Sequence, residues 1–296
     1  MNKVILALTV LILCSSLSLA QHGTEGSELI SLESFMQISG LKKNEVPKEA
    51  IIFKDQDTLI RARFETKAND SLISVPYDYR SKEFTDLYKK VAFVDPNRND
   101  TIPARMRYWK DEMRVYFAEE VDRKDKKGLT AFADEIFKQV DSLKIRIVRK
   151  LEDANFIVYY SNHYEFEPRM SKTAHIDYYL SWNGAFIDRG FLRVDKERYF
   201  NDDQRLQSLK RYFFRTLGYF NGTNSLDCGS YFSTCSNAED SLSQLDLELL
   251  QYHYSYGICK GVTLQTYDEQ LESAQTYKKE GIIFSVLHDK SIFSKD

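Results

Sequence analysis

The sequence has no Gly-x-Ser-x-Gly elbow and no glycine-rich phosphate loop of either usual spacing. A covalent serine hydrolase and the common nucleotide-binding folds therefore lose their local signatures. Internal repeats and low-complexity tracts are missing as well, which excludes solenoid and fibrous architectures. Long hydrophobic runs are scarce: the apolar run Val4 to Leu13 spans ten residues, about half of the ~20 that a membrane-crossing helix needs. An excess of positive charge is absent too. The net charge of −3 excludes nucleic acid and anionic membrane as partners recruited by net charge alone. Cysteine is limited to four residues, and none of them forms the paired Cys-x-x-Cys knuckles of a structural zinc site.

What is present begins with a leader. Met1-Asn2-Lys3 is a short positive start, Val4 to Leu13 is apolar, and small residues lead to Ser18-Leu19-Ala20. That order predicts a secretory signal peptide over residues 1–20, cleaved after Ala20, and a protein exported to the periplasm, the cell envelope or the medium. Cys14 follows Leu13, where lipoprotein processing favours a small residue, so a lipid anchor is the minor reading. No membrane span remains after cleavage. Cys228, Cys235 and Cys259 then stand in an oxidising compartment, and one disulfide with one free thiol is the simplest account. Cys228 and Cys235 close the shortest loop, although sequence alone leaves the connectivity open.

The mature chain reads in three parts. Residues 21–103 form an N-terminal region. Its first part, to about 48, reads as a mobile arm or a short helix, and two β-rich runs then flank Lys54-Asp55-Gln56-Asp57 as a hairpin. Residues 104–262 carry the clearer pattern. Met113 to Glu119 alternates as a strand, and Leu129, Phe132, Ile136, Val140 and Leu143 recur at helical spacing. Strands follow at Ile145 to Val148 and Asn155 to Tyr160, and a hairpin turns at Asn183-Gly184. Leu206, Leu209, Phe213 and Leu217 then line one face of a helix that stops at Gly218, and Ser243 with Asp246 makes a capping box for another. Residues 263–296 supply a last helix, from Thr266 with Glu269 as its capping partner, and a short strand. The fold class is α+β, a mixed sheet with packed helices preceded by a small β-containing N-terminal region.

Several residues in that order match a known family. They are Trp109 before the first strand, Ala154-Asn155 entering the central strand, Leu217-Gly218 with Asn221, Ser230-Tyr231-Phe232, Leu242-Ser243 to Leu250, Tyr254 and Gly261. On these residues the chain from 105 to about 262 resembles a bacterial family of exported zincin-like domains of unknown function. In that family the helix carries a degraded Glu-x-x-Gln-x-Leu-Gly in place of the zinc-binding His-Glu-x-x-His. The resemblance implies a zincin-like, metallopeptidase-like fold. Its metal positions fall here on Arg211, Tyr212 and Arg215. Arginine keeps its proton and cannot ligate a metal, and tyrosine is a poor base near neutral pH. The expectation is therefore a catalytically disabled domain with no cofactor, acting in binding or structure.

Two further readings stay open. Arg211 and Arg215 stack four residues apart, so either an internal acid such as Asp227 pairs with them, or a protein or acidic ligand does. The rival from another class is a metal-dependent hydrolase with ligands outside the motif helix. His163, Glu165 and Glu167 alternate on one face of an apparently extended run, which Pro168 ends. His175 and Asp177 are a weaker pair of the same kind.

Overall fold

The computed structural model describes residues 24–33, 36, 42–44, 46, 51–54, 57–66, 72–93, 104–140, 142–235 and 242–289. The signal peptide and most of the amphipathic stretch from Leu29 to Leu41 lie outside them. The architecture is mixed α+β, and the chain divides into two compact units. One comprises Met1–Tyr79, Tyr256–Cys259 and Glu269–Asp296, and the other Arg80–Ser255 and Lys260–Asp268.

The first unit holds two small antiparallel sheets. Strands β1 (Thr24–Ser31), β2 (Ile51–Lys54) and β3 (Asp57–Thr66) pair in the order β1-β3-β2. The β2–β3 hairpin turns where Lys54 and Asp57 pair, as the sequence predicts. Strand β1 corrects the arm reading for residues 24–31, all eight of which pair with β3, while Leu32, Glu33 and Met36 are helical, as the short-helix reading expects. A polar stretch without clean alternation is made a strand by its partner's backbone, a signal the local sequence does not carry. Strand β4 (Leu72–Pro76) pairs with β11 (Ser285–Asp289), and the Tyr77 amide continues the ladder to the Phe284 carbonyl at 2.9 Å.

The second unit is built on a six-stranded sheet of β5 (Tyr108–Trp109), β6 (Met113–Phe117), β7 (Ile145–Ile147), β8 (Phe156–Tyr160), β9 (Ile176–Asn183) and β10 (Phe186–Val194). Its order is β5-β10-β8-β6-β7, with β9 also on β10, and only the β9–β10 pair is antiparallel. That hairpin turns one residue later than Asn183-Gly184 suggests: Asn183 pairs with Phe186 and the loop is Gly184-Ala185, with Gly184 at φ +58°, the glycine-first arrangement of a two-residue hairpin turn. Every residue of β8 is buried, as its run of apolar residues on both faces requires of a central strand.

Five helices are described, α1 (Lys82–Ala92), α2 (Arg123–Gln139), α3 (Asp202–Thr216), α4 (Gln244–Tyr254) and α5 (Leu264–Lys279). Helix α2 buries Leu129, Phe132, Ala133 and Ile136. The Phe132 ring meets Phe213 of α3 at 6.5 Å and Tyr231 at 5.8 Å. Helix α4 opens on the expected capping box of Ser243 and Asp246. Helix α5 departs from expectation, because Thr263 rather than Thr266 supplies the cap: its hydroxyl accepts from the Thr266 amide at 3.2 Å. Helix α1 falls in a stretch whose sequence pattern is mixed; Ser81 caps it, and Tyr88, Val91 and Ala92 anchor it.

Candidate functional site

Helix α3 positions the residues on which the functional question turns. Asn201 caps it by accepting from the Gln204 amide at 2.9 Å, and Asp202 and Asp203 occupy its positive end. At the far end the last carbonyls lack intrahelical donors. Trp109 Nε1 donates to the Thr216 carbonyl at 2.9 Å, and the Tyr254 hydroxyl donates to that of Leu217 at 2.6 Å. The left-handed residue that closes the helix is Tyr219 (φ +53°), not Gly218. Gly218 is required for closeness instead: a Cβ there would lie 2.4 Å from the Phe220 ring and 2.8 Å from His253 Nε2.

Arg211 and Arg215 project from α3 onto a disulfide loop. Cys228 and Cys235 are bonded to each other. Arg211 is buried and donates to the backbone carbonyls of Ser233 and Cys235. Arg215 donates to the Tyr231 carbonyl at 3.0 Å and to that of Ser233. Asp227, one candidate for an internal partner, is exposed and enters no ion pair among the described residues. The mutual repulsion of two stacked guanidiniums is met here by convergent carbonyl dipoles of one loop. The opposite side of the loop hangs from α4. Ser230 Oγ donates to Asp246 Oδ1 at 2.5 Å, and the Tyr231 amide to Asp246 Oδ2 at 3.1 Å. Asp246 is therefore both the capping-box acid and the buried anchor of the loop, a double role its spacing to Ser243 does not reveal.

Tyr212, the third motif position, faces a different environment. Its ring meets Tyr178 at 6.2 Å and the Arg215 guanidinium at 5.6 Å. Tyr178 also meets Tyr219 at 6.4 Å, and Tyr219 meets the half-exposed Trp182 at 4.9 Å. Together they make an aromatic face on α3 and β9 with an arginine beside it.

The alternative metal set does not converge. His163, Glu165 and Glu167 follow β8 in a loop, not an extended strand, so their alternation no longer places them on one face. His163 is exposed. Glu165 accepts from the Tyr159 hydroxyl and pairs with Arg193 at 3.3 Å. Glu167 is gripped by Arg169 through two bonds of 2.6 Å, which hold its carboxyl below the usual range. Asp177 accepts from the Ser171 amide at 2.8 Å, while His175 packs near Tyr199. Among the described residues, no group of three or more His, Cys, Asp or Glu side chains is placed to hold a metal. Cys259, expected to be a free thiol, is disulfide-bonded.

Three polar clusters escape any reading of local sequence. The first is at the start of α3, where Arg205, 2% exposed, donates to Asp125 Oδ2 at 2.6 Å, and to Asp122 and pairs with Asp202, each at 2.9 Å. Tyr160 donates to the same Asp125 oxygen at 2.6 Å; burial, then that carboxylate, push its hydroxyl pKa upward. Lys196, hydrogen-bonded to Asp122, holds that carboxyl below its ordinary range, helped by Arg205. The second is His253, fully buried. Its Nε2 lies 2.9 Å from the Arg107 carbonyl, which can only accept, so Nε2 carries the proton and Nδ1 accepts from the Tyr88 hydroxyl at 3.0 Å. Burial lowers its pKa to about 3. The third is Lys260, whose ammonium donates to Ser142 Oγ at 3.0 Å and whose pKa burial lowers to about 7. A serine beside a low-pKa lysine suggests a nucleophile and its base. Here, however, the Ser142 proton is committed to the Tyr254 carbonyl.

No protein-family model and no curated protein matches the chain. No described helix is long and apolar enough to cross a membrane.

Proposed function

We propose that the protein is an exported, non-catalytic binding protein built on a zincin-like domain over residues 104–262, working in the periplasm, at the cell envelope or outside the cell. The observation that carries this reading is the engagement of Arg211 and Arg215 with the carbonyls of Tyr231, Ser233 and Cys235. The positions that would hold metal in an active relative instead bracket a disulfide loop. Hydrolysis by zinc needs about three neutral or anionic ligands and an open position for water. Two guanidiniums supply no ligand, and a single tyrosine does not make up three. The aromatic face of Tyr178, Trp182, Tyr212 and Tyr219 beside Arg215 is the binding surface in this reading, since tyrosine, tryptophan and arginine dominate the energetics of protein contacts.

Elemental analysis of the purified mature protein, with a peptide-cleavage assay on the same sample, tests the proposal. We expect no stoichiometric zinc and no cleavage. About one zinc per chain, released only by strong chelation, would overturn it in favour of a metal-dependent hydrolase. N-terminal sequencing of exported material should begin at Gln21, and a lipid-modified Cys14 start would remove the unanchored form.

A further inference from the structure

Helix α2 and the neighbouring ends of β6 and β7 enclose an open groove of about 650 Å³. Tyr116, Phe117, Ile147 and Val148 line it, and Arg123, Lys126, Lys127 and Arg149 stand in its rim against one acid in the lining, Asp134. The side chains of Arg123, Lys127 and Arg149 enter no hydrogen bond or ion pair among the described residues. Asp122 and Asp125 do not neutralise them, and Glu119, Glu120 and Glu152 lie near the Tyr116 hydroxyl, outside the groove's lining. Asp122 is turned to Arg205 and Lys196, and Asp125 is buried on Arg205. The net positive rim is therefore left for something outside this cluster, and charge complementarity calls for an anionic partner.

The edge of the sheet narrows the choice. Among the described residues, strand β7 pairs only with β6, so the backbone of its other side has no strand partner there. The Lys144 carbonyl accepts from Met113 and the Val148 amide donates to Val115, both at 2.9 Å. Along a strand the backbone groups alternate in direction, so those of Ile145 and Ile147 point away from β6 and along the open edge. An unpaired edge of this kind is a template for another strand, and cationic residues beside it select against apolar ones.

We propose that this groove binds an extended acidic segment of a partner protein, added as a further strand along β7, with its carboxylates on Arg123, Lys127 and Arg149. The inference is independent of the reading of the motif helix. It places the partner on a different face and needs no assumption about zinc.

The test uses the full mature chain and a fluorescein-labelled ten-residue peptide of alternating glutamate and valine, followed by fluorescence anisotropy. The alternation puts carboxylates on one side and apolar groups on the other. Saturable binding is expected, weakened about tenfold or more by raising salt and by the triple variant R123Q/K127Q/R149Q. A peptide N-methylated at alternate amides leaves the protein untouched and should bind at least about tenfold more weakly. Equal binding of the methylated and plain peptides would overturn strand addition. Equal competition by inorganic phosphate or heparin would reduce the groove to a non-specific anion surface and reject the proposal, as would the absence of saturable binding.

Discussion

The two ends of helix α3 solve the same problem in opposite ways. At its start, Arg205 is buried among Asp122, Asp125 and Asp202, so charge answers charge. Towards its end, Arg211 is also buried, and among the described residues it donates to the neutral carbonyls of a disulfide loop, which Arg215 shares. The difference shows that buried arginines on one helix can be met by carbonyl oxygens as well as by carboxylates. A loop with several carbonyls turned one way supplies the same oxygens. It also predicts different penalties, because a carboxylate stripped of its cation is left charged, whereas a carbonyl stripped of its donor is not.

The strongest test removes one charge from the buried pair. Asp125→Ala should cost about 3–5 kcal/mol, because it leaves the Arg205 cation buried with its best partner gone. The double variant D125L/R205M should recover most of that loss in urea denaturation, since an apolar pair of similar volume is near-neutral in such sites. If the double variant is as unstable as the single one, shape rather than charge holds that end of the helix.

Arg211→Met should cost less, about 1–3 kcal/mol, through unsatisfied neutral carbonyls. Opening the loop with C228S/C235S should cost about 2.5 kcal/mol on the chain-entropy model for a loop of this length. Because both changes release the same loop, their effects should fall short of additivity by at least ~0.5 kcal/mol. Strict additivity would mean that the arginine and the disulfide hold different things. A loss from Arg211→Met as large as that from Asp125→Ala would break the comparison between the two ends.

Acid should separate the buried groups in a third way. His253 has its folded pKa lowered from 6.5 to about 3, so below pH 6.5 the unfolded chain takes up a proton that the folded one refuses. Stability from this group is complete above about pH 6.5 and is lost as pH falls towards 3, by about 1.4 kcal/mol per pH unit. At pH 5 the loss is about 2 kcal/mol, and His253→Gln should flatten this part of the profile. A wild-type profile with no slope between pH 6.5 and 4.5 would contradict the buried neutral tautomer. The smallest effect is expected at the exposed Lys124–Asp203 pair, 2.8 Å apart between the starts of α2 and α3. Lys124→Ala should leave the melting temperature unchanged, as solvent and salt screen such pairs.

Much of the fold is legible in the order of residues. The β8 run reads as an interior strand because it is apolar on both faces, Asn183-Gly184 reads as a hairpin because only a few dipeptides tolerate the turn, and Ser243 with Asp246 reads as a helix start. Strand β1 is not legible, since its pairing with β3 is tertiary. The loop conformation of His163 to Glu167 is also hidden, because alternation alone cannot say whether a chain stays extended beyond β8. The candidate site is half visible. Arg211, Tyr212 and Arg215 can be named from their distance to Leu217-Gly218, but their partners lie 16 to 24 residues away and are carbonyls, which every residue possesses.

The sequence by itself determined the α+β class, the placing of most strands and helices in the second unit, and the identity of the three motif positions, Arg211, Tyr212 and Arg215, where no histidine or carboxylate stands. Periodicity, turn chemistry and residue identity are local properties, readable without a partner. Only the tertiary structure decided what the buried polar groups do. Arg205 meets Asp125 across 80 residues, and His253 meets Tyr88 across 165. The energy of such contacts depends on distance, direction and the exclusion of water, none of which is a property of a residue's neighbours along the chain.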